Sequence, residues 1–466
     1  MSKFLYLPLE IVYREHDAKS AIAAHAASQG WTVIIAPKLS LYKNLKNLPK
    51  GVFLIKSAVP SEFKQIKALK DKGHKVFSFD EEGVVTYEIF LEGDYRYNKE
   101  TVDLLDGIFF WGKKQHSVFL KNLPSFENKS HVVGNPRVEF WREYARKVYE
   151  DESKEIKKRY GDFVFIPTSF GIANNYLQGN QGVELSLEMF KEELSHIRSF
   201  LEGQRENNLI VFKEYIDFIP LLAREIFPKN IIIRPHPSES QVDWEKISQE
   251  NSNIFLEYSG SVTPWILASK IMIHFKSTTS IESNLMDIPT LTYIPSFPEY
   301  MDKFELELPK AISHPTFSRQ ETIKLVKDFF SGKKINKPSF EENEWIFIDK
   351  NKSETKNLMN FLEKSSMEVE KPISFNLNKY NLSFREIYEI ILDFFNSFKY
   401  INRNLPFILK RNPLRQSYGK RKYLGMNLKH TEYVVNKIFE IEGFHNNVEV
   451  RELIKDIYLI RSKNDE

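Results

Sequence analysis

The 466-residue chain has no cysteine, which excludes disulfides, thiolate metal sites and a cysteine nucleophile. It also lacks long apolar runs: none approaches the roughly 20 residues that a membrane helix needs. The opening stretch MSKFLYLPLEIVYRE meets Glu10 and Arg14 too early to hold the apolar core of a signal peptide, so a cytoplasmic location is expected. The glycines of a phosphate-binding P-loop are missing, which argues against a Walker-type ATPase. There is no internal repeat and no low-complexity tract.

What is present suits a large soluble α/β protein. Hydrophobic residues make up 42% of the chain, with 37 Phe and 21 Tyr, enough for more than one core. In the first 135 residues, short β-branched or aromatic runs alternate with helical stretches. Phe4–Leu7, Thr32–Ala36, Val52–Ile55, Lys75–Phe79, Ile108–Trp111 and His131–Val133 read as buried strands. Asp17–Gln29, Ser61–Lys72 and Lys99–Leu105 read as helices between them. A charged helix near Glu139–Tyr160 leads into a second series, with strands at Phe163–Ile166, Ile231–Arg234, Ile254–Glu257, Ile271–His274 and Thr290–Tyr293. Its helices are expected at Leu185–Leu201, Tyr215–Ile226, Pro264–Lys270 and Thr279–Met286. Such alternation predicts two doubly wound parallel-sheet domains, residues 1–150 and 151–315, facing a cleft at their strand ends. Residues 316–466 are expected to form a mainly helical, basic extension, with helices at Ser383–Lys399 and Val448–Ile460.

Four short clusters follow predicted strands, where such a cleft collects functional groups. Asp80-Glu81-Glu82-Gly83 sets three carboxylates side by side, so that repulsion raises the pKa of one and suits it to act as a base. Arg234-Pro235-His236-Pro237 holds an imidazole between two prolines beside a guanidinium, a pairing suited to phosphate. Lys276-Ser277-Thr278-Thr279-Ser280 sets hydroxyls and amides at a helix start, either as ordinary caps or as a phosphate cradle. Glu282, one turn further, is placed to accept from ribose hydroxyls. Gly134-Asn135-Pro136-Arg137 is a turn whose Arg137 is a candidate for the cleft. Gly171–Gly182, rich in Asn, Gln and Gly and containing Asn174, reads as a cleft loop.

Glu81-Glu82-Gly83, His236-Pro237 and Ser277-Thr278 together resemble the acidic, HP and Ser/Thr motifs of bacterial sialyltransferases. Over about residues 1 to 300 the chain is more similar to bacterial surface carbohydrate biosynthesis proteins, which are related to the Kdo and pseudaminic acid transferases. That similarity rests on Leu7-Pro8-Leu9-Glu10 with Arg14-Glu15, Asp80–Gly83, Gly134–Arg137, Arg234–Pro237 with Glu239 and Trp244, Pro264-Trp265, and His274 with Ser277, Thr278, Thr279 and Glu282. Pro167-Thr168-Ser169-Phe170 departs from that family's Asn-Thr-Asn-Phe.

The resemblance implies a GT-B-like fold and a metal-independent glycosyltransferase. It would move an acidic 2-keto sugar, a nonulosonic acid or Kdo, from a CMP-activated donor to a surface glycan. It implies Glu81 as base, with Asp80 and Glu82 as alternates. His236, Arg234, Pro237, Ser277, Thr278, Thr279, Glu282, Lys276, Thr168 and Ser169 would hold the donor. Glu10, Arg14, Asn135, Arg137 and Asn174 are expected on the sugar or acceptor side, and the place of Arg14 after the first strand suits it to meet the sugar carboxylate. No cofactor and no metal are expected, because the Asp-X-Asp pattern of metal-dependent transferases is missing. Competing readings are a CDP-polyol phosphotransferase of teichoic-acid type, a sugar-nucleotide 2-epimerase and a non-catalytic export or scaffold protein.

Between Ile401 and His430 the chain carries Arg403, Lys410, Arg411, Arg415, Lys420, Arg421, Lys422 and Lys429 and no Asp or Glu. Apolar residues are interleaved with them, a composition that suits peripheral contact with an anionic inner-membrane leaflet and a lipid-linked glycan acceptor. The competing reading is a basic face packed within the chain. Nucleic acid is not an expected partner, since no binding motif accompanies the basic residues.

Overall fold

The computed structural model describes residues 2–84, 87, 96–176, 183–184, 187, 195–297, 302–338, 342–370, 425–445 and 447–463. The molecule is α/β, with two sheets in a GT-B-like arrangement. The first contains β1 (Ser2–Leu9), β2 (Trp31–Pro37), β3 (Val52–Ile55), β4 (Lys75–Phe79), β5 (Gly107–Phe110) and β6 (Ser130–Val132). The second contains β7 (Phe163–Pro167), β8 (Asn230–Arg234), β9 (Ile254–Leu256), β10 (Ile271–His274), β11 (Thr290–Tyr293) and β12 (His314–Thr316). All neighbours within these two sets pair in parallel.

Parallel strands covered by helices on both faces must be apolar on both faces. Along β1, Leu5, Leu7 and Leu9 enter one core cluster while Phe4 and Tyr6 enter another on the opposite face. The first of these clusters continues through Trp141, Tyr149 and Trp265 to Met272 in the second sheet, so a shared apolar seam joins the two halves.

The chain past residue 310 differs from its expected form. β12 and the helix Arg319–Phe330 continue the second α/β unit. The helix Glu354–Lys364 then returns to the first unit, where Thr355 donates to Glu139 and Lys3 pairs with Glu363. β13 (Glu368–Val369) pairs antiparallel with β1, and the helix Leu428–Glu442 packs along α1 (Val12–Ser28). The helix expected at Val448–Ile460 is instead a hairpin of β14 (Val448–Ile454) and β15 (Ile457–Ser462). β15 lies antiparallel against β2, extending the first sheet to the order β14-β15-β2-β1-β3-β4-β5-β6. Its residues alternate across a pleat, and the unfilled edge of β2 decides the outcome over helix propensity. The helix expected at Ser383–Lys399 and most of the basic segment 401–430 lie outside the described residues.

The charged helix expected near Glu139–Tyr160 is continuous only over Glu150–Tyr160, after a short helix Pro136–Glu139 and a turn at Arg146–Tyr149. Most of the helix expected at Leu185–Leu201 and residues 177–182 of the expected loop lie outside the described residues. Two other boundaries shift. The helix after β1 starts at Val12, not Asp17, which puts Arg14 and Glu15 in its first turn. The helix expected at Tyr215–Ile226 is the end of a longer one, Ser195–Ile226. No helix among the described residues is long and apolar enough to cross a membrane.

Candidate active site

In an open α/β sheet the ligand crevice opens where the chain reverses its direction of strand addition. In the first sheet β2 adds on one side of β1 and β3 on the other, so the reversal lies at β1/β3. In the second, β8 and β9 add on one side of β7 and β10 on the other, so it lies at β7/β10. The candidate residues fall at the strand ends around these two points. The halves meet there, since Arg137 after β6 donates to Glu282 of the second half at 3.2 Å.

The first reversal carries a dense charge network. Glu10 accepts from Lys38 at 2.8 Å and Lys56 at 3.2 Å. Burial alone would raise its carboxyl, but the two ammonium groups outweigh that and hold it at about 2. Arg14 donates to Glu82 at 2.6 Å, and Lys56 lies 3.2 Å from the same oxygen. Against the effect of burial, Arg14 and Lys56 hold the Glu82 carboxyl well below the usual range. Lys19, almost fully buried, donates to Glu15 at 2.9 Å and to the Pro8 carbonyl, and lies 3.8 Å from Glu81. Glu15 and Glu81 diverge. Both are desolvated, but Lys19, Lys56 and Arg14 hold Glu15 down, whereas burial and the Glu15 charge push Glu81 up. Glu81 Oε2 is buried without a hydrogen-bond partner, as is Arg14 Nε.

The three acids of the triplet therefore have different environments. Asp80 is built into the wall: it accepts from Arg96, from Tyr97 and from Gln115 at 3.1 Å, while its carbonyl accepts from Trp111 at 3.0 Å. Gly83 is required by space, because a Cβ there would sit 1.9 Å from Gln115 Nε2 and 2.4 Å from Asp80 Oδ2. Glu82 is the exposed member, and Glu81 points inward.

At the second reversal, buried Glu239 ties the loops after β7 and β8 together. It accepts from Thr168 Oγ1 at 2.7 Å, Phe170 N–H at 2.9 Å, His236 N–H at 3.2 Å and Trp244 Nε1 at 3.0 Å. Burial pushes its carboxyl up to about 7 against these four donors, which favour the charged form. His236 is exposed, and its Nδ1 accepts from the Ser238 N–H at 3.3 Å. Nδ1 also lies 2.7 Å from the Ser238 hydroxyl, and with both groups donating to Nδ1 the ring proton sits on Nε2, where it can donate to an anion. Ser277 and Thr279 share a hydroxyl contact at 2.7 Å, and the Ser277 N–H donates to buried His274 Nδ1 at 3.3 Å. Thr278 is exposed between them, and Pro237 beside His236.

Several expected site residues are engaged elsewhere. Lys276, expected at the donor phosphate, is buried with its ammonium 3.3 Å from Asn207 Oδ1 and 3.4 Å from Glu305. Burial lowers it to about 8, and its backbone takes the uncommon φ of +55°. Ser169 donates to the Phe275 carbonyl, and Asn174 to the Ser240 carbonyl at 3.0 Å. Arg234 donates to the Ser259 and Gly260 carbonyls, and burial lowers it to about 10. Asn135 Oδ1 caps the Arg137 N–H at 2.8 Å, while its Nδ2 is buried without a partner. Arg137 spans the halves, donating to Glu282 at 3.2 Å; Glu282 also accepts from Thr263 at 3.0 Å. Lys19, Lys38 and Lys56 were not singled out in the sequence. A lysine amid the alanines of a buried helix, and another closing the run Val52–Ile55, are the available signals.

No family model and no curated protein matches the sequence. Among solved structures, the UDP-GlcNAc 2-epimerase of Methanocaldococcus jannaschii, in complex with UDP-GlcNAc and UDP, is similar at 12% identity. The match covers 78% of this chain and 100% of that one, with a TM-score of 0.46. The UDP-GlcNAc 2-epimerase of Neisseria meningitidis, bound to UDP-GlcNAc, is similar at 13% identity over 78% of this chain and 100% of its own, TM-score 0.47. A glycosyltransferase from Rickettsia africae is similar at 10% identity over 86% and 100%, TM-score 0.40.

Proposed function

We propose that the chain is a sugar-nucleotide enzyme that transfers an acidic 2-keto sugar from a CMP-activated donor to a glycan hydroxyl. The observation that carries this reading is Glu81: a proton-attracting carboxylate with one oxygen buried and unpartnered, set beside Lys19 and Glu15 after β4. A carboxylate whose proton affinity is raised in this way is suited to accept a proton from a hydroxyl. In the reaction the acceptor hydroxyl gives its proton to Glu81 while its oxygen bonds the anomeric carbon, and the bond from that carbon to the CMP phosphate oxygen breaks. His236 Nε2–H and the hydroxyls of Ser277, Thr278 and Thr279 meet the phosphate as negative charge collects on it. The acidic sugar is supported by Arg14 and Lys56, whose shared counter-ion Glu82 is 47% exposed and open to exchange for a substrate carboxylate.

The test is donor consumption with and without glycan acceptor, alongside thermal shifts with CMP, CDP, UDP and their sugars. Stabilisation by CMP and acceptor-dependent release of CMP are expected. Stabilisation by UDP alone, with interconversion of a UDP-sugar in the absence of acceptor, would replace this reading by a sugar-nucleotide 2-epimerase. A phosphodiester product from a CDP-polyol would replace it by a phosphotransferase.

A further inference from the structure

A second group of ionisable side chains lies away from the cleft. His25 is in the last turn of α1, about 16 Å along the helix axis from Arg14. It is 1% exposed, and its Nε2 faces two carboxylates, Glu139 Oε1 at 3.6 Å and Glu442 Oε1 at 4.0 Å. Both separations exceed hydrogen-bond reach, so His25 Nε2 and Glu139 Oε1 are buried without a hydrogen-bond partner.

The other oxygens are already held. Glu139 Oε2 accepts from the Thr355 N–H and hydroxyl, and Glu442 Oε2 from Lys356. Phe444 packs edge-on against the imidazole. Each carboxylate is thus fixed through one oxygen and presents the other to the same point as the histidine. The three ligand atoms lie within 4.8 Å of one another.

In a tetrahedral shell with bonds of about 2.1 Å, neighbouring ligand atoms are about 3.4 Å apart. The two histidine–carboxylate separations, 3.6 and 4.0 Å, lie just beyond that and beyond hydrogen-bond reach. One imidazole and two carboxylates are the donor set of a first-row divalent cation. We infer that His25, Glu139 and Glu442 bind such a cation, of the zinc class, and that it fastens the helix Leu428–Glu442 to α1. The role is structural: the ligands come from three distant parts of the chain, His25 and Glu139 buried and Glu442 part-buried, and do not depend on the cleft chemistry.

The experiment uses the full chain, stripped with a chelator and dialysed. Titration with Zn2+ should show uptake of about one equivalent per chain with a rise in Tm. Co2+ in its place should give the visible absorption of a four-coordinate nitrogen–oxygen site. His25→Ala should abolish both. If that variant does not fold, Glu442→Gln, near the surface beside Lys356, should weaken uptake at least tenfold. No uptake by the wild-type chain, with Tm indifferent to chelator and Zn2+, would overturn the inference. Undiminished uptake by Glu442→Gln and His25→Ala would also overturn it.

Discussion

Asp80, Glu81 and Glu82 are consecutive and chemically alike, and the fold gives each a different partner. Glu81→Gln should retain CMP binding while transfer falls about 10²–10⁴-fold, measured by steady-state kinetics beside calorimetric titration. Asp80→Asn should act on stability, since it leaves buried Arg96 without its carboxylate at a cost of about 3–5 kcal/mol, read by urea denaturation. Glu82→Gln should release Arg14 and Lys56 and lower the KM for an acidic donor with little change in kcat. A second residue, His274, carries a pH signature. Burial lowers it to about 3, so the folded chain resists protonation that the unfolded chain accepts near 6.5. Its stabilising share is full above 6.5 and is lost as pH falls toward 3. The wild type should therefore be about 2 kcal/mol less stable at pH 5 than at pH 7 from this residue alone, and His274→Gln should flatten that slope in a denaturation series. The acidic triplet was legible as a site because it follows a strand. Which acid serves was not, since Arg96 and Lys19 reach it from outside the motif.

Among the elements, the strands of both parallel sheets were legible because buried β-branched runs announce themselves at once. The hairpin β14–β15 was not. Val448-Glu-Val-Arg-Glu-Leu-Ile has the composition of a surface helix, and only the vacant edge of β2, some four hundred residues earlier, selects the strand. Ile460, fully buried where β15 meets β2, measures how far that edge depends on it. Ile460→Ala should cost about 2–5 kcal/mol by chemical denaturation. It should also favour association between copies, because a loosened β15 uncovers a strand edge. Gly134 shows the same return from another side. Its φ is +79°, and a Cβ there would sit 2.5 Å from the Phe347 carbonyl, so Gly134→Ala should displace the returning segment and lower Tm.

Across the whole molecule, Arg137 and Glu282 form an ion pair between the two units at the cleft. Arg137→Met should cost about 3–5 kcal/mol, because Glu282 is left buried without its ion-pair partner. Adding Glu282→Gln should recover much of that, and a double-mutant cycle on urea midpoints measures the coupling. The two-sheet plan was legible in the strand–helix alternation. The path after residue 330 was not, because its return depends on contacts with Glu139, Trp31 and β1 that no local pattern encodes. That return also sets an order in time. During synthesis β15 emerges only after every strand of the second unit, so that unit has all its strands before the first can close its edge. Until then β2 leaves the ribosome as an open apolar border. Translation speed and chaperone cover between the making of β2 and of β15 should therefore govern the yield of native protein.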